Sequence, residues 1–279
     1  LESILEAGRN GHGPVLIWGS GDQRSQDITC SHNGYQSLPY GIVVGSVTKD
    51  GRVASFSAHC PSLFVVAPSG DVGKAGLVTA VDGRKCEMNE GGRSTSASAA
   101  LVGGVVGLML QARSDLSYRD VQHILIKTAR RNVLKSNSDW VINGAGIFVH
   151  EDFGFGIVDA SAALTQSLTW QKVSRLRMIQ RRIDVSKTVL HPGDNGYSFV
   201  KFNSDAFFVE RVVVEVDVTA DTPGNMELYL KAPSGTISKF IQPRLNYETP
   251  VYYISISAFN DHVFLQGMSM NGLPRQMTF

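Results

Sequence analysis

Between Gly91 and Ala100 the chain reads Gly-Gly-Arg-Ser-Thr-Ser-Ala-Ser-Ala-Ala, and the apolar run Leu101 to Leu110 follows without a break. Small hydroxyl residues leading into an apolar segment form a turn that opens a buried helix. Ser96 then stands at the helix N-terminus, where backbone N–H groups lack intrahelical acceptors and the dipole is positive. That setting favours a developing oxyanion. The chemistry it suits is attack of a serine hydroxyl on a carbonyl carbon. Such acyl transfer needs a nucleophile, a base for its proton, a group to orient that base, and donors for the oxyanion. The same residues also suit plain N-capping of a core helix, the commoner role of an arbitrary Ser-Thr-Ser. No Gly-x-Ser-x-Gly elbow surrounds Ser96, which sets aside an α/β-hydrolase arrangement.

The elements that must hold this turn are legible around it. Val15 to Trp18 and Gly41 to Val47 are short apolar, β-branched runs suited to strands buried on both faces. Asp50-Gly51 and Asp82-Gly83 are hairpin-turn signals, flanked by Val53 to Phe56 and Leu77 to Val81. A long helix is expected over residues 97–112, its glycines pointing to close backbone packing. Ser117-Tyr118-Arg119-Asp120 is a capping box, followed by Val121, Ile124, Leu125 and Ala129 on one helix face. Asp159 caps a last short helix ending near Leu164. Alternating strands and helices predict an α/β unit with a mostly parallel sheet over residues 1–164.

After Thr165 the texture changes. A basic stretch (Lys172, Arg175, Arg177, Arg181, Arg182) leads into segments with strand periodicity, such as Phe207 to Val218 and Asn225 to Leu230, the latter followed by a turn at Ala232 to Thr236. Residues 165–279 therefore read as an all-β domain. The Arg181-Arg182 pair suits a solvated linker face better than a processing site.

Bulk properties narrow the partners. With 279 residues there is room for two cores. A net charge of +1 with 18% charged residues gives no reason to expect nucleic acid or an acidic partner. The run Leu101 to Leu110, interrupted by Gly103, Gly104 and Gly107, is too short to span a bilayer, so no transmembrane segment is expected. The chain starts at Leu1 and carries no signal peptide, which reads as an internal or processed piece.

Four segments in order resemble the subtilisin-like serine proteases, and within them the kexin/furin group of proprotein convertases. Ser94 to Ala100 is similar to that family's Gly-Thr-Ser-Ala-Ser-Ala-Pro at the start of the nucleophile helix, with Ser94 for the Gly and Ala100 for the Pro. Pro14 to Asp22 resembles the strand and loop carrying the oxyanion-hole side chain, and the spacing from Asp22 to Ser96 suits the family. Asp115 to His123 is similar to the segment after the nucleophile helix, and Phe153 to Ala160 to the segment that closes the catalytic domain. The β-rich remainder resembles the jelly-roll-like P domain. Pro223 to Leu230 stands at the family's Arg-Gly-Asp-Leu-Glu-Leu-Tyr-Leu but lacks the Arg-Gly-Asp.

The resemblance implies a serine endopeptidase that cleaves secretory precursor proteins after basic residues, within the Golgi, a secretory granule or the extracellular space. Ser96 would be the nucleophile and Asp22 the residue at the oxyanion hole. Trp18, Ser20, Gly21 and Asn33 would line the substrate. The family's triad runs in the order Asp, His, Ser, so the catalytic Asp and His are expected upstream of Leu1, in a missing N-terminal half of the catalytic domain. His12 sits in a Gly-rich turn and fits no base motif; neither do His32, His59, His123, His150, His191 and His262. This chain alone should then not hydrolyse peptides.

Several positions depart from the family. Most subtilases place Asn where Asp22 stands; one neuroendocrine branch of the convertases carries Asp. A carboxylate would repel the oxyanion unless burial kept it protonated, which leads to an expectation of activity favoured at acidic pH. Asn33 replaces an acidic pocket residue, and Ala58-His59-Cys60 lacks the acid expected before the cysteine. Calcium is implied by the family, with Asp27 as one weak ligand, since that ion takes six to eight oxygens. Cys30 and Cys60 occupy the places of a family disulfide, worth roughly 3–4 kcal/mol on the chain-entropy model. Cys86 matches a cysteine whose partner lies outside this chain; three buried free thiols are the plain alternative. Asp22, Asn33, Ser94 and Ala100 also keep open a non-catalytic pseudoprotease acting as a binding or chaperone module.

Overall fold

The structure is a computed structural model that describes residues 7–26, 28–30, 33–74, 76–83, 85–89, 93–135, 139–180, 199–202, 209–216, 227–232, 235–241, 254–258 and 275–278. Three parallel strands form its centre: β1 (Leu16–Gly19), β2 (Gly41–Val47) and β3 (Leu63–Pro68), in the order β1-β2-β3. Every residue of β2 is buried, as its mostly apolar run predicts, Ser46 being the polar exception. Ile42, Val44, Phe64, Val65 and Ala67 join one core with helical residues, while Val43, Val47, Leu63 and Val66 join a second with Phe153 and both buried cysteines.

The expected strand–helix alternation is corrected here. The connections β1 to β2 and β2 to β3 are irregular apart from a short 3-10 turn at Arg24–Gln26, and the helices come after the strands. The sheet is still parallel because both loops exceed the dozen or so residues a crossover needs. Cys30 and Cys60 join these two loops in a disulfide, with Cα atoms 5.4 Å apart. Asp82-Gly83 does turn a hairpin, β4 (Leu77–Val81) with β5 (Lys85–Asn89). Asp50-Gly51 also reverses the chain, in a shorter return: Val53 bridges antiparallel to Val47, Thr48 N–H donates to Arg52 O and Ala54 N–H donates to Ser46 O. Gly51 lies against the loop at Val133, where a Cβ would meet the carbonyl oxygen at 2.0 Å.

Helix α1 (Thr95–Ala112) starts two residues earlier than the apolar pattern indicates, because Ser94 supplies the cap: its side chain accepts from Ala97 N–H at 3.3 Å. The 18-residue helix is long and apolar enough to cross a membrane, mean hydropathy 1.5, contrary to the expectation from Leu101 to Leu110 alone. It packs as an inner helix, with Thr95, Ser98, Val102, Val106 and Met109 turned inward. Ala100, Leu101, Gly104, Gly107, Leu108 and Gln111 remain exposed, and no charged residue interrupts the helix.

Helix α2 (Tyr118–Thr128) is opened by the reciprocal Ser117–Asp120 capping box. Asp159 caps α3 (Ala160–Thr169) through Ala162 N–H, but the helix runs five residues past Leu164. Thr165 and Ser167 return their hydroxyls to the carbonyls of Ser161 and Ala163, so this polar run stays helical. Trp170 is buried and Val173 packs on the same core.

Asp120 ties these parts together. Its carboxylate is buried and accepts from Ser117, from Trp170 Nε1 at 2.9 Å and from Val173 N–H at 2.8 Å. Arg119 forms a bidentate pair with Glu210, donates to Ser174 O, and His123 Nε2 lies 3.2 Å from Glu210. The helix thus clamps the segment leading to the β-rich region.

That region is antiparallel. Strands β6 (Phe199–Phe202), β8 (Leu228–Lys231), β9 (Ile237–Ile241) and β11 (Arg275–Thr278) form one sheet, order β9-β8-β11-β6. A second pairs β7 (Val212–Val216) with β10 (Ile254–Ala258). The expected turn at Ala232 to Thr236 is closed by Ala232 N–H donating to Thr236 O. Within the strand expected from Phe207 to Val218 the described residues hold β7; Phe207, Phe208, Asp217, Val218 and the Arg181-Arg182 pair lie outside the described residues.

Two outcomes follow for stability. Asp120→Ala strips the buried Trp170 and Val173 donors of their acceptor and lowers unfolding stability by roughly 2–4 kcal/mol, measured by denaturant titration. Burial alone would push Glu210 up, but hydrogen bonds from His123 and Arg119 outweigh it and bring its carboxyl down to about 2. Because the folded value lies below the unfolded one, its contribution is complete above about pH 4.5 and fades as pH falls toward 2. The stability gap between wild type and Glu210→Gln, followed across that window, should close in the same sense.

Candidate active site

The site is built where the end of β1 meets the start of α1. Ser20 N–H donates to Val44 O, which extends the pairing past Gly19. Gly21, at φ +101°, then turns the chain in a conformation that other residues rarely adopt. At this turn the two segments exchange hydrogen bonds: Gly21 N–H donates to Thr95 Oγ1 at 3.0 Å, and Thr95 N–H donates to Asp22 Oδ1 at 2.8 Å. Gly19 makes the approach possible. A Cβ there would lie 2.7 Å from Thr95 Oγ1 and 2.9 Å from Ser96 N.

The helix start is also pinned from below. Ser98 is buried one turn into an apolar helix; its hydroxyl donates to Ala67 O at 2.8 Å and lies 2.9 Å from Ser46 Oγ. Ser46 Oγ also donates to Ser94 O, and its N–H donates to Ser57 Oγ. Strands β2 and β3 and the β1 loop therefore all fix the Ser94–Ser98 turn. Ser96 is exposed, and its N–H and Oγ have no partner among the described residues. This arrangement leaves a free hydroxyl beside a free backbone donor at a positive helix end, the elements of acyl transfer short of its base.

On the other side of β1, Trp18 stacks on Tyr35 with ring centroids 5.2 Å apart. Gln36 Nε2 donates to Gly19 O, and Asn33 Oδ1 accepts from Tyr35 N–H at 3.0 Å. Trp18, Ser20, Gly21 and Asp22 thus form one strip between the Asn33 turn and the Ser96 turn. Asn33 is exposed, and its side chain shapes its own turn. Ser20 is buried, with its hydroxyl unpartnered. Asp22 is exposed.

Sequence reasoning missed Thr95, Ser46, Ser98 and Gln36 as the residues that hold the strip in place. Ser98 carried a signal, a hydroxyl on the inward face of an apolar helix. The others carried none without knowing which strands meet the turn.

No described histidine reaches Ser96. His12 lies near α2, its carbonyl accepting from Tyr118 N–H; His59 pairs with Glu151; His123 lies against Glu210. His150 packs with tilted rings against Trp140 and Phe153, and its burial holds the imidazole below the usual histidine range despite nearby Asp152. His32, His191 and His262 lie outside the described residues, as does Asp27. Ala58 is buried where the substrate pocket was expected to carry an acid. Among the described residues no cluster of three or more His, Cys, Asp or Glu side chains could hold a metal. The described residues thus do not fit a calcium site. Cys86 is free and exposed on β5.

Comparison with known proteins agrees with this geometry. The profile of the Subtilase family matches residues 2–156. The human protein "Proprotein convertase subtilisin/kexin type 6" is 33% identical over 253 residues, 88% of this chain and 26% of that protein. "Furin-like protease 1, isoform 1-CRR" of Drosophila melanogaster is 30% identical over 261 residues, 92% of this chain and 23% of the relative. The chain thus spans about a quarter of the length of these relatives. A serine protease of Aeromonas sobria shares the fold, with TM-score 0.67 and 14% identity, over 96% of this chain and 57% of that one. A serine at the head of an inner helix, a parallel sheet beneath it and this run of matches lead to one assignment: the chain belongs to the subtilase family, and its homologues at about 30% identity are proprotein convertases.

Proposed function

We propose that this chain is the C-terminal part of the catalytic domain of a convertase-type serine endopeptidase, followed by an all-β, jelly-roll-like P domain. Ser96 Oγ attacks the scissile carbonyl, and the Ser96 N–H receives the oxyanion. The observation that carries this reading is the exposed Ser96 on a turn pinned by Gly19, Asp22, Ser46 and Ala67. A general base and its orienting carboxylate come from a preceding half of the catalytic domain.

Two surfaces support such a half. Strand β1 pairs only with β2 among the described residues, which leaves one edge open. The exposed stripe Ala100, Leu101, Gly104, Leu108 is uncharged, and Cβ atoms added at Gly104 or Gly107 would meet nothing. An exposed apolar helix face and a parallel edge strand with one neighbour are both surfaces that adjoining layers cover in a sheet of this kind. This chain by itself is therefore inactive.

Substrates in this reading are secretory precursor proteins cut after basic residues. That preference comes from the convertase relatives, since Asn33 supplies no carboxylate. A secretory-pathway location accords with the Cys30–Cys60 disulfide. Calcium belongs to the proposal only through the relatives. A second reading, a pseudoprotease that binds partners, is favoured by Asp22, which puts a carboxylate where most subtilases have an amide donor.

The two readings part under a serine-directed phosphonate applied to the full-length protein. Endopeptidase function gives one adduct on Ser96, located by peptide mass, and Ser96→Ala abolishes both the adduct and cleavage of an Arg-containing fluorogenic peptide. Absence of an adduct on folded wild-type protein would leave the binding module.

A further inference from the structure

The exchange between Gly21-Asp22 and Thr95 assigns a role to Asp22 that differs from the oxyanion donor its position implies. We infer that Asp22 is a positioning residue: its carboxylate accepts the Thr95 N–H and so fixes where Ser96 stands at the head of α1. The inference rests on the proposed acyl transfer at Ser96 and deepens it.

A helix start has several N–H groups without intrahelical acceptors, and each is stabilised by a side-chain oxygen placed nearby. Here Ala97 N–H is taken by Ser94 Oγ and Thr95 N–H by Asp22 Oδ1, which leaves the Ser96 N–H without a partner among the described residues. A carboxylate carries an extra advantage over a neutral acceptor at this end of the helix, because its charge meets the positive end of the dipole. The return bond from Gly21 N–H to Thr95 Oγ1 closes a ring that permits little sliding between loop and helix. Gly19 packs beneath that ring with no room for a side chain. Asp22 has no N–H₂ to offer a reacting oxygen, but it can hold the turn that presents the Ser96 N–H.

An amide would do both. Asn at position 22 keeps an Oδ1 for Thr95 N–H and adds a donor, whereas Ala supplies neither. The consequence is an unusual ranking, with the charge-removing Asp22→Asn tolerated and the truncating Asp22→Ala damaging.

Two readouts on the full-length protein test it. The first is hydrogen exchange at the Thr95 amide, which needs no catalysis. The second is the rate of phosphonate labelling at Ser96, with kcat and KM on a peptide substrate. Asp22→Ala should accelerate Thr95 exchange and slow labelling by about five- to tenfold, lowering kcat with KM unchanged. Asp22→Asn should keep Thr95 protected and label at least as fast as wild type. Unchanged Thr95 exchange in Asp22→Ala, or Asp22→Asn as slow as Asp22→Ala, overturns the inference. Wild-type protein that never labels removes the proposed reaction instead, and the exchange arm still decides whether Asp22 holds the turn.

Discussion

A polypeptide that leaves a parallel strand and meets the N-terminus of a helix must solve two problems at once. The helix needs acceptors for its first N–H groups, and the loop needs partners for its own backbone. In this protein each solves the other: Thr95 N–H to Asp22, Gly21 N–H to Thr95 Oγ1. Each bond is worth only about 1–3 kcal/mol net, the one to the carboxylate at the upper end. Their value lies in geometry, since the glycine at position 19 lets the two backbones come close enough for both to form. Remove that approach and Ser96 loses its relation to the loop, whatever its own chemistry.

The rest of the α/β unit serves this contact. Ser98 buries a hydroxyl in an otherwise apolar helix, which is affordable only because Ala67 O and Ser46 meet it. Strands β2 and β3 therefore act on the turn through polar pins as well as through the apolar packing of Val102, Val106 and Met109. On the far side of the core, buried Asp120 does for the segment after α3 what Asp22 does for the loop after β1. It offers an acceptor to backbone and indole donors that the fold has removed from water.

Hydropathy alone describes α1 poorly. By length and composition it suits a bilayer, yet its inward face carries Thr95 and Ser98, whose hydroxyls are matched within the protein. The outward stripe, rich in Gly and Ala around Leu101 and Leu108, is apolar and exposed, and it is a face on which the proposed preceding half would pack.

Local signals were readable in the chain because their physics is local. The Ser117–Asp120 box, the Asp159 cap, the Asp82-Gly83 hairpin and the fully buried β2 each involve residues a few positions apart. The hydroxyl-rich turn at Ser96, the pairing of Cys30 with Cys60 and the family itself were read from motif order and resemblance. Tertiary structure decided what distance in sequence conceals. It carried parallel crossovers on loops without helices, kept α3 helical to Thr169 by burying Ser167, exposed Asp22, and turned Asn33 upon its own turn. It also joined residues 22 and 95, because a hydrogen bond depends on where two strands and a helix meet, and no periodicity encodes that meeting.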